Sequence, residues 1–272
     1  MSPKISIVTI NLNNVLGLEK TYKSIVSQTV KPYEWIIIDG GSTDGSVDVI
    51  KQNENYISYW VSEPDKGIYD AFNKAVKVLT GDYTIFINSG DCLADETVIE
   101  KATQALGTSE YDYVVGKTML DGNRSKLIIP PKEVSASFLF QHYLSCPGTF
   151  FRTSLLKMIP FNQDFSIVGD WVFSVESLLI NNAKYHSVDL IVADYDTHGL
   201  SMTHVWDAYV EREKAWKQFF GERVYDDFVR LTTGKTTLQK IVCRVERYRG
   251  LYALLTMLAL PVFALYKIRK RF

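Results

Sequence analysis

Gly81–Asp91 reads GDYTIFINSGD, an apolar run that stops abruptly at a glycine and a carboxylate. Val78, Leu79 and the run Tyr83 to Ile87 are driven out of water, so the stretch predicts a helix ending near Gly81 and then a buried strand with Asp91 at its carboxyl end. In a parallel sheet flanked by helices that edge binds ligands, because its loops are the part not covered by packing. A carboxylate there, after a flexible glycine, suits a divalent cation with a phosphate beyond it. An Asp that caps the helix expected from about Asp95 to Leu106 is the other reading.

Upstream, the same order of elements recurs three times. Ile5 to Ile10 is a β-branched run, and Leu18, Tyr22, Ile25 and Val26 follow at helical spacing. Trp35 to Ile38 ends in Asp39, and GGSTDGS after it is loop chemistry leading into a helix near Val47. Ile57 to Val61 makes a third strand; EPDKG turns the chain, and Ile68, Phe72, Ala75, Val76 and Leu79 mark a helix facing the sheet. Four largely apolar strands separated by helices imply an α/β fold with a mostly parallel sheet and right-handed crossovers.

Downstream, Tyr111 to Met119 and Lys126 to Ile129 read as sheet edge, Ser135 to Leu144 as helix, Thr149 to Arg152 as short and extended. Asp170 to Ile180 reads as helix and Ile191 to Ala193 as a last short strand. From Trp206 onward the pattern is helical only.

The 272 residues, 46% hydrophobic, are enough for one or two globular domains. Three scattered cysteines, Cys92, Cys146 and Cys243, with no CxxC pair fit a reducing compartment and exclude a local zinc motif. The short apolar start after one lysine is too brief for a secretory signal. The net charge of −1 argues against nucleic acid as partner, yet it hides an asymmetry: from Lys235 to Phe272 nine Lys or Arg stand against Glu246 alone, which is +8, leaving −9 for residues 1–234. A basic tail on an acidic body points to an anionic surface.

Thr9 and Asn11 end strand one, Asp39 ends strand two, Asp65 and Lys66 follow strand three, and Asp91 follows strand four. Polar groups converging on one edge make a mononucleotide-type pocket. Asp39 can accept from a pyrimidine ring N–H, and Lys66 can offset diphosphate charge or be a solvated surface lysine. The absence of GxGxxG after strand one, where NLNNVLG stands, excludes a dinucleotide dehydrogenase. No GxxxxGK[ST] P-loop and no G-x-S-x-G nucleophile elbow occur either.

ISIVTINLN, DGGSTDGS, EPDKGIYDAFNKAV and GDYTIFINSGD, in that order, resemble the successive blocks of the family 2 glycosyltransferases. The resemblance is close over about residues 4–92 and looser to about 200, and the SGD form is similar to enzymes that build bacterial colanic-acid and O-antigen polysaccharides. It implies the GT-A fold, Thr9 and Asp39 on the base of a UDP-sugar, Asn11, Asp65 and Lys66 beside them on the donor, and Asp91 on a divalent cation, Mn2+ or Mg2+. Ser89 stands where a first Asp is common. Val168-Gly169-Asp170-Trp171 matches the block that carries the base of inverting members, which makes Asp170 the group that takes the acceptor's proton; an N-cap for the following helix is its structural alternative. His198, in DTHGLS, can reach the cation or simply be exposed. Cys146 reads as a small buried residue, since no base is paired with it.

Leu238, Ile241, Val242, Val245 and Tyr248 make an apolar stripe on a basic helix, and Leu251 to Tyr266 is almost wholly apolar before KIRKRF. Sixteen helical residues reach roughly 24 Å, short of a ~30 Å hydrocarbon core, so the segment is expected to lie in or dip into an anionic leaflet. The expectation is therefore a GT-A catalytic domain over 1–203, with donor half 1–92 and acceptor half 93–203, and a membrane-associating helical region over 204–272. Its function would be transfer of a sugar to a polyprenyl-diphosphate-linked glycan at the cytoplasmic face of the inner membrane. A nucleotidyltransferase and a catalytically idle membrane scaffold are the competing readings.

Overall fold

The computed structural model describes residues 2–107, 110–199 and 203–233. Nine strands form a single mixed sheet: β1 (Ile5–Asn11), β2 (Glu34–Asp39), β3 (Tyr59–Ser62), β4 (Tyr83–Phe86), β5 (Cys92–Leu93), β6 (Tyr113–Leu120), β7 (Asn123–Ile128), β8 (Thr149–Arg152) and β9 (Tyr185–Tyr195). The order is β3-β2-β1-β4-β8-β6-β9-β5, with β7 as a hairpin on β6. The first four strands are parallel, β8 runs antiparallel between β4 and β6, and β6 and β9 are again parallel.

The helices are α1 (Val15–Val26), α2 (Ser46–Gln52), α3 (Ile68–Val78), α4 (Val98–Leu106), α5 (Ala136–Gln141), α6 (Thr153–Met158), α7 (Gly169–Val175), α8 (Val205–Phe220) and α9 (Glu222–Thr233). β1, β2 and β4 are buried along their whole length because both faces are covered. On one face Ile5, Ile7, Trp35, Ile37, Ile85 and Ile87 pack against Leu18 and Ile25 of α1, Ile50 of α2 and Val98, Ile99, Ala102 and Leu106 of α4. The other face is aromatic: Phe72 of α3 stacks on Phe86 of β4 at 4.2 Å, and Phe161 stacks on Phe173 of α7 at 4.7 Å. Each such buried ring contributes roughly 2–3 kcal/mol of apolar transfer.

Several expectations shift. α3 ends at Val78, with Leu79 already extended, before Gly81. Of the two stretches expected at the sheet edge, β6 is an inner strand between β8 and β9, and β7 pairs with β6 off the main strand order. β9 runs eleven residues, because His186, Ser187 and Asp189 interrupt an apolar pattern whose visible part was Ile191 to Ala193. β5, two residues pairing with β9, leaves no sequence signal at all. α7 continues as a π-helical turn, Glu176–Ile180.

The chain divides into two units, Met1–Phe219 and Phe220–Phe272, so nearly all of α8 belongs with the sheet. The basic stripe, the apolar stretch 251–266 and Cys243 lie outside the described residues. Among the described residues, no helix is long and apolar enough to cross a membrane.

Candidate active site

Register sets the edge. Asn11 pairs with Asp39 and Asp39 with Ser62, so three side chains stand in a row at the carboxyl ends of β1, β2 and β3. Asp39 is buried, and all its oxygens are engaged: Oδ1 accepts from Asn11 Nδ2 (2.7 Å) and Ser42 Oγ (2.6 Å), and Oδ2 from Gly41 N (3.2 Å), Ser42 N (2.9 Å) and Ser62 Oγ (2.6 Å). Burial alone would raise its pKa, but these five donors outweigh it and the net shift is downward. Asp39 thus shapes the 40–42 turn, with both carboxylate oxygens engaged by the chain's own donors. Asn11 Oδ1, by contrast, is buried without a partner among the described residues.

Thr9 lies deeper than this row. Its side chain is fully buried; the hydroxyl donates to the Ile87 carbonyl at 2.7 Å and accepts from Trp35 Nε1 at 3.0 Å. It ties β1 to β4 beneath the edge.

Asp65 and Leu12 crowd Gly40 from opposite partners of the chain: a Cβ there would stand 2.9 Å from Asp65 Oδ2 and 3.2 Å from Leu12 Cδ1. Asp65 Oδ1 pairs with Lys74 at 2.6 Å, and Lys74 also meets Glu63 at 2.9 Å and Asp70 at 3.4 Å. The side chain of Lys66 is exposed and makes no ion pair among the described residues, while its backbone N–H donates to Asp70 Oδ2 at 3.1 Å.

The 88–91 turn is held by α1. Asn14 caps that helix and donates through Nδ2 to the Ser89 carbonyl (2.9 Å), Lys20 Nζ donates to the Gly90 carbonyl (3.1 Å), and Thr21 Oγ1 donates to the Asp91 carbonyl (2.7 Å). Sequence reading passed over these three residues. The available signal was a threonine at position 21 inside the apolar stripe of α1, where it is fully buried.

Asp91 is buried beside the 196–198 loop. Its Oδ1 accepts from the Asp196 backbone N–H at 2.9 Å, and the Asn88 backbone also favours its charged form. Desolvation first, and the Asp196 charge second, push the Asp91 carboxyl up to about 7. Gly90, at φ 108°, has no room for a side chain, since a Cβ would lie 2.7 Å from Asp196 Oδ2. Asp196 also bonds His198, at 2.9 Å to the backbone N–H and 2.8 Å to Nδ1, and this partner raises the imidazole pKa. One ligand atom each of Asp121, Asp196 and His198 lies within 4.8 Å of the others. Carboxylate oxygens and an imidazole, with an excess of negative charge around Asp91, form a donor set fitted to Mn2+ or Mg2+.

Asp170 opens α7. Its Oδ1 accepts from Trp171 N (2.9 Å) and lies 3.1 Å from the Tyr69 hydroxyl, which also donates to the Ile167 carbonyl at 2.8 Å. No described group bonds Oδ2. Burial raises the Asp170 pKa, and the Trp171 N–H and Tyr69 hydroxyl oppose it only in part. Gly169 is required by that neighbour, because a Cβ would sit 2.6 Å from the Tyr69 ring. The half-buried Cys146 lies within electrostatic range of both Asp170 and Asp91; burial first, then those two charges, lift its thiol well above the usual range and keep it a thiol. The structure thus brings Asp91, Asp170 and His198 to one end of the sheet.

The sequence matches Glycosyl transferase family 2 over residues 6–178. An uncharacterized glycosyltransferase of Mycobacterium tuberculosis is 30% identical over 210 residues, covering 73% of this chain and 77% of its own. The GalNAc(5)-diNAcBac-PP-undecaprenol beta-1,3-glucosyltransferase of Campylobacter jejuni is 28% identical over 178 residues, 60% of this chain and 56% of its own. Among solved structures, S. aureus TarS 1-349 in complex with UDP-GlcNAc has a TM-score of 0.65 at 18% identity, covering 79% of this chain and 65% of its own. The glucosyl-3-phosphoglycerate synthase of Mycobacterium tuberculosis with Mn2+, UDP and phosphoglyceric acid has a TM-score of 0.52 at 20% identity, covering 77% and 80%. Both structures share the GT-A-like arrangement of this sheet.

Proposed function

This chain belongs to glycosyl transferase family 2, and we propose that it is an inverting glycosyltransferase that moves one sugar from a UDP-sugar to a lipid-linked glycan. The observation that carries the reading is the pair of buried carboxylates, Asp91 and Asp170, at the same end of the sheet and within range of the Cys146 thiol.

The nucleotide lies along the β1–β3 edge. Asn11 Oδ1, a buried acceptor without a partner, suits a pyrimidine ring N–H, while Leu12 and Asp65 wall the space over Gly40. The UDP complexes of the structural neighbours support the choice of base. Asp121, Asp196 and His198, with Asp91 beside Asp196, would hold a divalent cation, which when bound would offset diphosphate charge as the leaving group departs. The Mn2+ of the synthase supports this assignment.

Asp170 acts on the other reactant. The acceptor hydroxyl loses its proton to the unbonded Asp170 oxygen as its own oxygen bonds the anomeric carbon, the bond from that carbon to the diphosphate breaks, and UDP leaves. A pKa raised by burial suits a group that must take a proton yet be ionised near neutral pH. A single displacement inverts the anomeric configuration.

The undecaprenol-linked acceptor named for the Campylobacter relative supports a lipid-linked acceptor, and the +8 tail supports a peripheral place on the anionic cytoplasmic face of the inner membrane. A screen of UDP-sugars against polyprenyl-diphosphate-linked glycans, read by product mass, tests the proposal. A gain of one sugar with stoichiometric UDP is expected; nucleotidyl transfer to a sugar phosphate, or no transfer from any UDP-sugar, would refute it.

A further inference from the structure

α8 reaches back to the segment that carries Asp170. The Glu211 carboxylate accepts three consecutive backbone N–H groups, Oε1 from Ser166 at 2.8 Å and Oε2 from Ile167 at 2.9 Å and Val168 at 3.1 Å. Successive amides turned toward one anion form a nest, a backbone shape that an anion stabilises and that water satisfies less well. Glu211 makes no ion pair among the described residues, so its charge is answered by these amides. The middle residue of the nest, Ile167, gives its carbonyl to the Tyr69 hydroxyl, and that hydroxyl touches Asp170 Oδ1.

The next residue grips the other side. Arg212 donates to the carbonyls of Leu139 (3.1 Å), Phe140 (3.0 Å) and His142 (3.3 Å) at the end of α5, and its guanidinium lies 4.7 Å over the Trp171 ring. Trp171 Nε1 donates to two of the same carbonyls, Leu139 at 2.9 Å and His142 at 3.2 Å. Trp171 follows Asp170 directly. Two adjacent side chains of one helix therefore hold the backbone before Asp170 and the indole after it.

We propose that Glu211, with Arg212 beside it, is a positioning residue for Asp170: its anion sets the 166–168 backbone so that Asp170 keeps one oxygen bonded and the other open to the acceptor hydroxyl. The proposal rests on the reading of Asp170 as the base. It differs from a role in general stability, because nothing in the chain of contacts runs through the nucleotide edge at β1–β3. Loss of the Glu211 charge should therefore slow chemistry and leave donor binding alone.

The test compares Glu211→Gln, Glu211→Asp and Asp170→Asn with the wild-type full chain, measuring kcat, the KM for the UDP-sugar, UDP affinity by calorimetry and melting temperature. Glu211→Gln keeps size and loses charge. Its kcat should fall about tenfold to a hundredfold, as for a catalytic group displaced by about an ångström, while UDP-sugar KM and UDP affinity stay within about twofold. Glu211→Asp should recover part of the loss. An unchanged kcat in Glu211→Gln, with Asp170→Asn inactive, would overturn the positioning role and leave the base standing. Parallel losses of UDP affinity, melting temperature and kcat would overturn it as well, in favour of a structural role. If Glu211→Gln does not fold, Glu211→Asp decides by the same split. Wild-type turnover in Asp170→Asn would remove the base itself, a result separate from the others.

Discussion

The backbone N–H of Asp196 donates to Asp91 Oδ1 at 2.9 Å, joining residues 105 positions apart. This bond fixes one Asp91 oxygen and places it against the loop that carries His198. Replacing Asp91 with Asn keeps the bonded oxygen and removes the charge that a cation needs. Asp91→Asn should lower turnover by about a hundredfold or more, in keeping with loss of charge stabilisation at a leaving group. Calorimetry checks the cause: Mn2+ should tighten UDP binding in the wild type and have little effect in Asp91→Asn or His198→Ala.

Thr9 distinguishes a structural hydroxyl from a ligand contact. Thr9→Val removes the donor to Ile87 and the acceptor for Trp35 Nε1, leaving buried polar groups unsatisfied at about 1–3 kcal/mol. Denaturant unfolding should show that loss, while the KM for the UDP-sugar stays as in the wild type. A raised KM with unchanged stability would put Thr9 back in the pocket.

Asp39 should affect both quantities. Asp39→Ala strands the Ser42 and Ser62 hydroxyls, the Asn11 amide and two backbone N–H groups, so a loss of about 3 kcal/mol or more is expected in unfolding. Because the 40–42 turn is built on that carboxylate, UDP affinity should drop with it. Asp39→Asn, which keeps part of the bonding, should fall between.

Much of this was visible in the sequence, and the exceptions have physical reasons. The four parallel strands were legible because each is rich in apolar and β-branched or aromatic residues and lies between helices, and Asp39, Asp91 and Asp170 were legible because a carboxylate follows such a run or opens a helix. The bonds of Thr9 were not legible, since an edge position does not reveal which face the side chain takes, and the nearer partner in sequence, Trp35, is 26 residues away. The 166–168 nest was invisible because its amides belong to the backbone and their anion, Glu211, lies 43 to 45 positions downstream in what read as an ordinary polar helix. Only Ile191 to Ala193 of β9 was legible because His186, Ser187, Asp189 and Asp194 break its apolar pattern.

The pH dependence follows from Asp170. Burial raises its pKa above the usual carboxylate value near 4, so at low pH it is protonated and cannot take the acceptor proton. kcat should therefore rise with pH along a single-proton limb whose midpoint lies above that value, and Asp170→Asn should abolish the limb. In stability the sign is opposite. Between the unfolded and the folded pKa the native state binds more protons than the unfolded one, so the Asp170 contribution is greatest below the unfolded value and is lost as pH rises through the folded value. A kcat limb centred at an ordinary carboxylate pKa would mean that the group is solvated during turnover.

The central claim is that Asp170 takes the acceptor's proton in a single displacement. A single-turnover assay with saturating UDP-sugar and lipid-linked acceptor, following transfer in wild-type and Asp170→Asn enzyme, tests it most directly. Transfer should slow by about a thousandfold or more, at the upper end of what a positioned base supplies, with UDP affinity unchanged and an inverted anomeric configuration in the wild-type product. Transfer in Asp170→Asn at the wild-type rate, or a product that retains the donor's configuration, would contradict the mechanism.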